Sequence, residues 1–116
     1  MSEGKKLDDG KVRVDLFPYD ALIAISHVLT AGLEKYPDRN WEGGVRWGGY
    51  FAATIRHMVA WWQGKEPTSV NFAFGDTDME TDMSHLWHAG ACIVFLIAFE
   101  ARGMTEFDDR PNSRGK

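Results

Sequence analysis

Two adjoining groups of titratable residues have types and spacings that could carry chemistry. Residues 76–82 place a carboxylate at every second position, and carboxylates this close repel one another unless a cation lies among them. The oxygen ligands Asp76, Asp78, Glu80 and Asp82 suit a hard divalent metal ion. A calcium-binding helix–loop–helix loop is excluded, because the sixth-position glycine is missing and Trp87 stands at the twelfth position. A solvated acidic loop is the open alternative.

A histidine pair follows this acidic segment directly. His85 and His88 lie three residues apart on a predicted helix, so their side chains project from one face. Such a pair can bind a metal together, or one ring can bind phosphate while the other acts as a general acid or base. A lone histidine is more often a core residue, but four neighbouring carboxylates favour a functional role for the pair.

Arg56 and His57 form a second candidate pair on another predicted helix. Beside a metal site, Arg56 would neutralise phosphate oxygens through bidentate hydrogen bonds. A surface arginine whose aliphatic stem lies on a tryptophan fits the sequence equally well.

Residues 34–41 combine both signs of charge with an amide and an indole where a helix runs into a loop. Lys35 and Arg39 suit phosphates, Asn40 suits a base edge, and Trp41 suits stacking on a base. The segment is therefore predicted to face a ligand. The sequence contains no nucleophile elbow, no glycine-rich phosphate loop and no cysteine–histidine nucleophile pair, so covalent catalysis is disfavoured.

Composition limits the class of protein. The 116 residues fit one domain, and a net charge of −4 argues against a general nucleic-acid binder. The single cysteine, Cys92, cannot form an internal disulfide. The charged N-terminus does not resemble a signal peptide, and the apolar run 89–99 is shorter than the roughly 20 residues that cross a membrane. A soluble, cytoplasmic protein without a membrane partner is predicted.

Three amphipathic or apolar segments must position these residues. They predict helices over 18–36, over about 50–63, and from Asp82 or Ser84 to just before Gly103. The stretch 38–49 is a predicted loop, and 65–81 is a long connection of the kind that is often functional. Residues 1–16 are expected to form an ordered coil. The fold class is therefore all-α, a small bundle of about three main helices in a single domain over 1–103, with a polar, frayed tail over 104–116.

The third predicted helix is apolar on almost every side between Leu86 and Phe99. Such a helix must be covered on more than one side, and three helices of one small chain cover it poorly. We therefore expect a homo-oligomer in which third helices pack together.

Four motifs resemble, in order and spacing, the N-terminal domain of phage dATP/dGTP diphosphohydrolases. They are D-D-G-K-V-R-V-D-L-F-P at 8–18, V-L-T-A-G-L-E-K-Y-P-D-R-N-W at 28–41, R-H-M-V-A-W-W-Q-G at 56–64, and D-M-E-T-D-M-S-H-L-W-H-A at 78–89. These proteins look related to the all-α, MazG-like nucleoside-triphosphate pyrophosphohydrolases. The resemblance implies cleavage of a deoxynucleoside triphosphate to its monophosphate and pyrophosphate with Mg²⁺ or Mn²⁺. It also implies a phage or prophage source and the host cytoplasm.

The resemblance also assigns residues. The characteristic positions fall on Lys35, Tyr36, Asn40, Trp41, Arg56, His57, Asp78, Glu80, His85 and His88, with Lys11, Arg13 and Asp15 in the N-terminal arm. MazG-like enzymes hold their metals with an E-x-x-E pair and a later E-x-x-D pair. This chain has no E-x-x-E, and its only E-x-x-D is Glu106 to Asp109. The same chemistry would therefore require Glu34, Asp38, Asp78 and Glu80 as metal ligands.

The resulting hypothesis is metal-dependent hydrolysis of a purine deoxynucleoside triphosphate. Carboxylates would hold the metal, Lys35, Arg39 and Arg56 would neutralise phosphates, and Trp41 would stack on the base. The catalytic set would comprise His57, His85, His88 and Glu80. Two rivals remain: a histidine-centred phosphohydrolase acting on another phosphoester, and a non-catalytic nucleotide-binding or assembly module.

Overall fold

The computed structural model describes residues 10–65 and 83–113, and within them it contains helices and turns but no strand. The three main helices are α1 (Tyr19–Ala31), α2 (Trp47–Trp62) and α3 (His85–Ala101). Short 3-10 turns lie at Val14–Leu16, Gly32–Glu34, Asn40–Gly43, Thr105–Phe107 and Pro111–Ser113. The predicted all-α architecture with three main helices is confirmed. None of the described helices is long and apolar enough to span a bilayer.

Helix α1 is shorter than predicted. It begins at Tyr19, with Pro18 as its N-cap residue, and ends at Ala31, so the prediction of a helix through residue 36 is wrong. Gly32, whose helix propensity is low, starts a tighter 3-10 turn. The backbone N–H of Tyr36 still donates to the carbonyl of Gly32 at 2.9 Å, so a turn continues up to Pro37.

Helices α2 and α3 form the main packing unit and run antiparallel. His57 on α2 lies beside His85 and His88 at the start of α3. Tyr50, two turns earlier on α2, lies against Phe95 and Phe99, which come later on α3. Helix α1 packs on α3 more loosely. There Gly90 leaves room for Ile25, because a Cβ at this position would lie 3.0 Å from Cδ1 of Ile25, which is a tight contact.

The buried face of α2 is not its most apolar face. The large side chains Phe51, Ile55, Met58, Val59 and Trp62 are all exposed. The buried residues are instead Trp47, Thr54, His57 and Ala60. Ala60 on α2 and Ala89 and Ala91 on α3 are also buried, and small buried side chains let packed helices approach closely. The most apolar stripe of this helix therefore faces outward.

The first turn of α2 is held by residues that come after α3. The carboxylate oxygen Oδ1 of Asp109 accepts a hydrogen bond from the backbone N–H of Gly48 at 2.8 Å, and the guanidinium of Arg110 lies 4.9 Å from the centre of the Trp47 ring. An N-terminal helical N–H needs such an acceptor. This contact explains why α2 begins at Trp47, although the glycines predicted a loop through residue 49. The expectation of a frayed end is wrong for residues 104–113.

Gly44 lies in the loop before α2, where the segment after α3 packs against it. Its φ of +88° lies in a region that favours glycine. A Cβ there would lie 2.7 Å from Cε2 of Phe107. The segment after α3 can therefore pack against the loop before α2 because residue 44 has no side chain.

Candidate functional site

Three buried histidines meet where the second half of α2 crosses the start of α3. His57 is 3% exposed, and His85 and His88 are each 6% exposed. Nδ1 of His57 lies 3.0 Å from Nδ1 of His85. The His57 ring stacks on His88 with 4.9 Å between centroids and 16° between planes. We call these three residues the histidine cluster.

The short Nδ1–Nδ1 distance restricts the protons of the histidine cluster. An N–H···N hydrogen bond needs one donor and one acceptor, so only one of the two Nδ1 atoms carries a proton. When both rings are neutral, the donating ring has a basic Nε2, and the accepting ring carries its single N–H proton on Nε2. Either assignment gives the pair one basic nitrogen and one N–H donor, which are the groups required for acid–base work.

Local sequence explains how the cluster is placed. Ser84 caps α3, since its Oγ accepts a hydrogen bond from the N–H of Leu86 at 3.1 Å. His85 is therefore the first helical residue, and His88 follows on the same face. The positive end of the helix dipole also lies at this end of α3, where it favours an anionic ligand. The predicted convergence of His85 and His88 on one face matches the geometry, and His57 completes the group.

The acidic part of the predicted site lies outside the described residues. Asp76, Asp78, Glu80 and Asp82 all fall in the segment 66–82, directly before Met83 and Ser84. Among residues 10–65 and 83–113, no group of three or more His, Cys, Asp or Glu side chains could hold a metal ion. Glu34 and Asp38, the two proposed ligands that are described, are both exposed. The described residues therefore do not by themselves form a site for Mg²⁺ or Mn²⁺.

The predicted ligand-facing segment is solvent-accessible. Lys35, Tyr36, Arg39 and Asn40 are exposed. Arg39 adopts a left-handed backbone conformation with φ of +59°, which is uncommon outside glycine. Its Nη1 lies 2.9 Å from the Glu42 carboxylate. The segment is therefore accessible to a ligand, and Arg39 within it is already paired with Glu42.

The side chain of Trp41 packs against the later half of α3, away from the histidine cluster. Its ring stacks on Phe95 with 5.0 Å between centroids and is tilted against Phe99 at 6.1 Å. The guanidinium of Arg102 lies 4.8 Å from the same ring. Seven residues separate His88 from Phe95, which corresponds to about 10 Å along a helix.

The remaining predicted residues are placed at the surface. Arg56 is exposed beside the buried His57, as the surface interpretation of that arginine expects. Lys11 and Arg13 are also exposed. Arg13 donates from Nε and Nη2 to both carboxylate oxygens of Asp15 at 2.9 and 2.8 Å, and this hydrogen bonding lowers the pKa of Asp15. The structure therefore brings the three histidines together and places the predicted cations at the surface.

Two polar residues on the buried face of α2 were absent from the predicted set. Thr54 is 8% exposed, and its hydroxyl donates to the backbone carbonyl of Tyr50 at 2.8 Å. Burial raises the pKa of Tyr50 to about 12, with smaller contributions from Cys92 and Tyr36. The signal in the sequence is their spacing, because Tyr50, Thr54 and His57 recur at intervals of four and three residues on one helical face.

Comparison with known proteins identifies a family. A family model described as "dATP/dGTP diphosphohydrolase, N-terminal" matches residues 1–110. No curated protein and no solved structure matches the chain.

Proposed function

The chain belongs to the dATP/dGTP diphosphohydrolase N-terminal family, and from this premise we propose that it hydrolyses purine deoxynucleoside triphosphates to the monophosphate and pyrophosphate. We assign the chemistry to the histidine cluster because Nδ1 of His57 and Nδ1 of His85 are in contact and both rings are buried. The family description names the N-terminal part of these enzymes. That this chain carries out the reaction of the whole enzyme is therefore part of our proposal.

In the proposed reaction, a water oxygen attacks the α-phosphorus and the bond from that phosphorus to the bridging oxygen breaks. Pyrophosphate leaves, and the water proton passes to the basic Nε2 of the His57–His85 pair. Nε2 of His85 is buried, so the proposed base is Nε2 of His57, and His85 is proposed to fix its tautomer through the Nδ1–Nδ1 hydrogen bond. A buried, hydrogen-bonded pair supports this role because its ring orientations are fixed before substrate binds.

His88 and the cations complete the proposed site. His88 keeps the His57 ring in place by stacking on it and is proposed to contact a phosphate. Exposed Lys35, Arg39 and Arg56 are proposed to neutralise phosphate charge, with Lys11 and Arg13 supplied by the N-terminal arm. Deoxynucleotides carry several negative charges, so cations from different segments can act on one ligand.

We propose Mg²⁺ or Mn²⁺ as the cofactor of this hydrolysis. Asp78 and Glu80 are the proposed ligands that precede α3, with Glu34 and Asp38 as the described candidates. A hard cation held by these carboxylates would neutralise charge on the phosphates. We place the reaction in the cytoplasm, where its substrates occur.

A homo-oligomer is part of the same proposal. Phe51 is 62% exposed and Trp62 is 81% exposed on α2, and Ile97 is 58% exposed on α3. Phe51 and Ile97 line one apolar cleft of about 440 Å³. Together they support a shared apolar face that a second copy would cover. Light scattering after gel filtration should give a multiple of 13.1 kDa, and Phe51→Asp should lower that mass.

Product analysis tests the proposed reaction. The protein is incubated with each of the four deoxynucleoside triphosphates and with Mg²⁺ or Mn²⁺, and products are separated by anion-exchange chromatography. We expect dAMP or dGMP together with pyrophosphate. Release of orthophosphate would support the phosphohydrolase rival instead. Nucleotide binding without turnover of any substrate would support the non-catalytic module.

A further inference from the structure

The segment before α1, residues 11–17, carries apolar side chains that its own copy leaves exposed. We call this segment the N-terminal arm. Val12 is 87% exposed, Val14 is 78% exposed and Leu16 is 70% exposed. Contact of such side chains with water is unfavourable, and neighbouring exposed apolar residues mark contact sites. The arm therefore has the character of a segment that packs on another surface.

The described hydrogen bonds of the arm lie within residues 13–17. The backbone N–H groups of Leu16 and Phe17 donate to the carbonyls of Arg13 and Val14 at 3.1 and 3.2 Å, which shapes a short 3-10 turn. Within the described part of the chain, these bonds do not tie the arm to α2 or α3. The arm can therefore pack on a second copy without losing them.

The arm joins its own copy away from the histidine cluster, because α1 runs antiparallel to α3. His27 stacks on Trp87 with 6.4 Å between centroids, whereas Ile25, earlier on α1, faces Gly90, later on α3. Tyr19 begins α1 eight residues before His27, which corresponds to about 12 Å along a helix. The arm therefore leaves the fold towards the end of α3 that is opposite the histidine cluster.

An uncharged apolar stripe runs along α2 beside the histidine cluster. Its members are the exposed large side chains Phe51, Ile55, Met58, Val59 and Trp62. Ile55, Met58 and Val59 all lie within one turn of His57, since a turn holds 3.6 residues. An apolar segment that packs on this stripe would therefore lie at the level of the histidine cluster.

The charges of the arm complement a nucleotide at that level. Lys11 and Arg13 alternate along the arm with Val12 and Val14, and both cations are exposed. The exposed ion pair of Arg13 with Asp15 is of a kind that contributes little stability. A triphosphate carries several negative charges, whereas the stripe on α2 is uncharged. Cations that arrive with an apolar segment would therefore supply charge-assisted hydrogen bonds to the phosphates.

We propose that the N-terminal arm of one copy packs on the apolar stripe of α2 in a second copy. Lys11 and Arg13 of the arm then bind phosphate oxygens of the nucleotide at the second copy's histidine cluster. Each active site is thus shared between two copies. This inference rests on the proposed function and names the partner that supplies these two cations.

Mixed assemblies of two impaired variants test the inference. His57→Gln keeps an intact arm, and Lys11→Ala/Arg13→Ala keeps an intact histidine cluster. The arm variant alone should lose at least about tenfold in kcat/KM, because charge-assisted hydrogen bonds to phosphate are removed. The two variants are co-expressed with different affinity tags, and assemblies that contain both are purified through both tags. In a mixed dimer one of the two equivalent sites is complete, so hydrolysis of dATP or dGTP should return to about half the wild-type rate.

Two further pairings calibrate this measurement. Mixed assemblies of His57→Gln with wild type should also give about half the wild-type rate. His57→Gln with His85→Gln is the matched negative control, because both variants damage the cluster of their own copy and no complete site can form. Mixed assemblies of His57→Gln with the arm variant that stay as inactive as this control would overturn the inference, since the arm would then act on its own copy.

The concentration at which the assembly dissociates tests the packing of the arm without any activity. In light scattering of a dilution series, Val12→Asp/Val14→Asp should dissociate at a concentration at least about tenfold higher than the wild type. Leu33→Asp is the matched control, since Leu33 is 54% exposed outside both the arm and the stripe, and it should behave as the wild type. Unchanged dissociation of Val12→Asp/Val14→Asp would overturn the inference. If the wild type turns over no triphosphate, the proposed hydrolysis fails, and earlier dissociation of this variant would still support the packing of the arm on a second copy.

Discussion

Nδ1 of His57 lies 3.0 Å from Nδ1 of His85, although 28 residues separate them in the sequence. The contact joins the second half of α2 to the first residue of α3, and both rings are buried. It has a structural consequence and a chemical one. The hydrogen bond ties two helices together at a polar point, and it gives the pair one basic nitrogen and one N–H donor.

The structural consequence predicts strong energetic coupling between the two histidines. His57→Ala and His85→Ala should each lower the free energy of unfolding by about 2–4 kcal/mol, because each leaves a buried ring without this hydrogen bond. The double variant should lose about 1 kcal/mol less than the sum of the two. Urea denaturation measures all three values. The exposed His27 is the control, and His27→Ala should cost less than about 1 kcal/mol. Strict additivity of the two cluster variants would contradict the contact.

Gly44 should not tolerate a side chain. Gly44→Ala should lower the free energy of unfolding by about 1–3 kcal/mol, because its φ of +88° is unfavourable for alanine and its Cβ would meet Phe107. Gly49→Ala is the matched control, since Gly49 lies in α2 and a Cβ there meets nothing within 4 Å. That variant should gain about 0.5–1 kcal/mol from helix propensity. Equal effects in thermal denaturation would refute the packing of this corner.

The contact between Asp109 and Gly48 should stabilise the start of α2. Asp109→Ala removes the acceptor for the Gly48 N–H and should cost about 0.5–2 kcal/mol, as for other residues that cap helix N-termini. Hydrogen exchange of the Gly48 and Gly49 amides should become faster. Glu106→Ala, on the exposed part of the same segment, should leave both the stability and the exchange unchanged. Unaltered exchange in Asp109→Ala would show that the segment does not hold the helix.

The raised pKa of Tyr50 predicts that the folded protein loses stability at high pH. Its pKa in the folded protein is raised to about 12 from an ordinary value of 10.0, so the folded state retains the phenolic proton more tightly than the unfolded state. The corresponding stability is fully present below pH 10 and is lost between about pH 10 and 12. In Tyr50→Phe this part of the loss should disappear, whereas Tyr19→Phe should behave as the wild type. Identical alkaline denaturation profiles for the wild type and Tyr50→Phe would contradict the shift.

The parts of the fold that depend on local signals were predictable from the sequence. Ser84 was one of two proposed caps for the third helix, and it caps α3 in the structure. Gly103 was the predicted stop, and its φ of +67° matches a glycine that ends a helix. The spacing of His85 and His88 placed both rings on one face. Each of these features depends on residues within one or two helical turns.

The parts that depend on tertiary contacts were not predictable in this way. Phe51, Ile55 and Trp62 form the most apolar stripe of α2, yet Thr54 and His57 are buried. Hydrophobic periodicity cannot distinguish a face that packs inside the chain from a face left for a partner. The early start of α2 depends on Asp109, which lies 61 residues from Gly48. No local pattern contains such a contact.

The most direct test of the central claim compares the activity of histidine variants. His57→Gln and His85→Gln should each lower kcat at least 100-fold for hydrolysis of dATP or dGTP to the monophosphate and pyrophosphate, as expected for the loss of a general acid or base. His27→Gln should retain wild-type kcat, and circular dichroism should show that all three variants are folded. Folded His57→Gln and His85→Gln proteins that turn over substrate at the wild-type rate would contradict the assignment of catalysis to the histidine cluster.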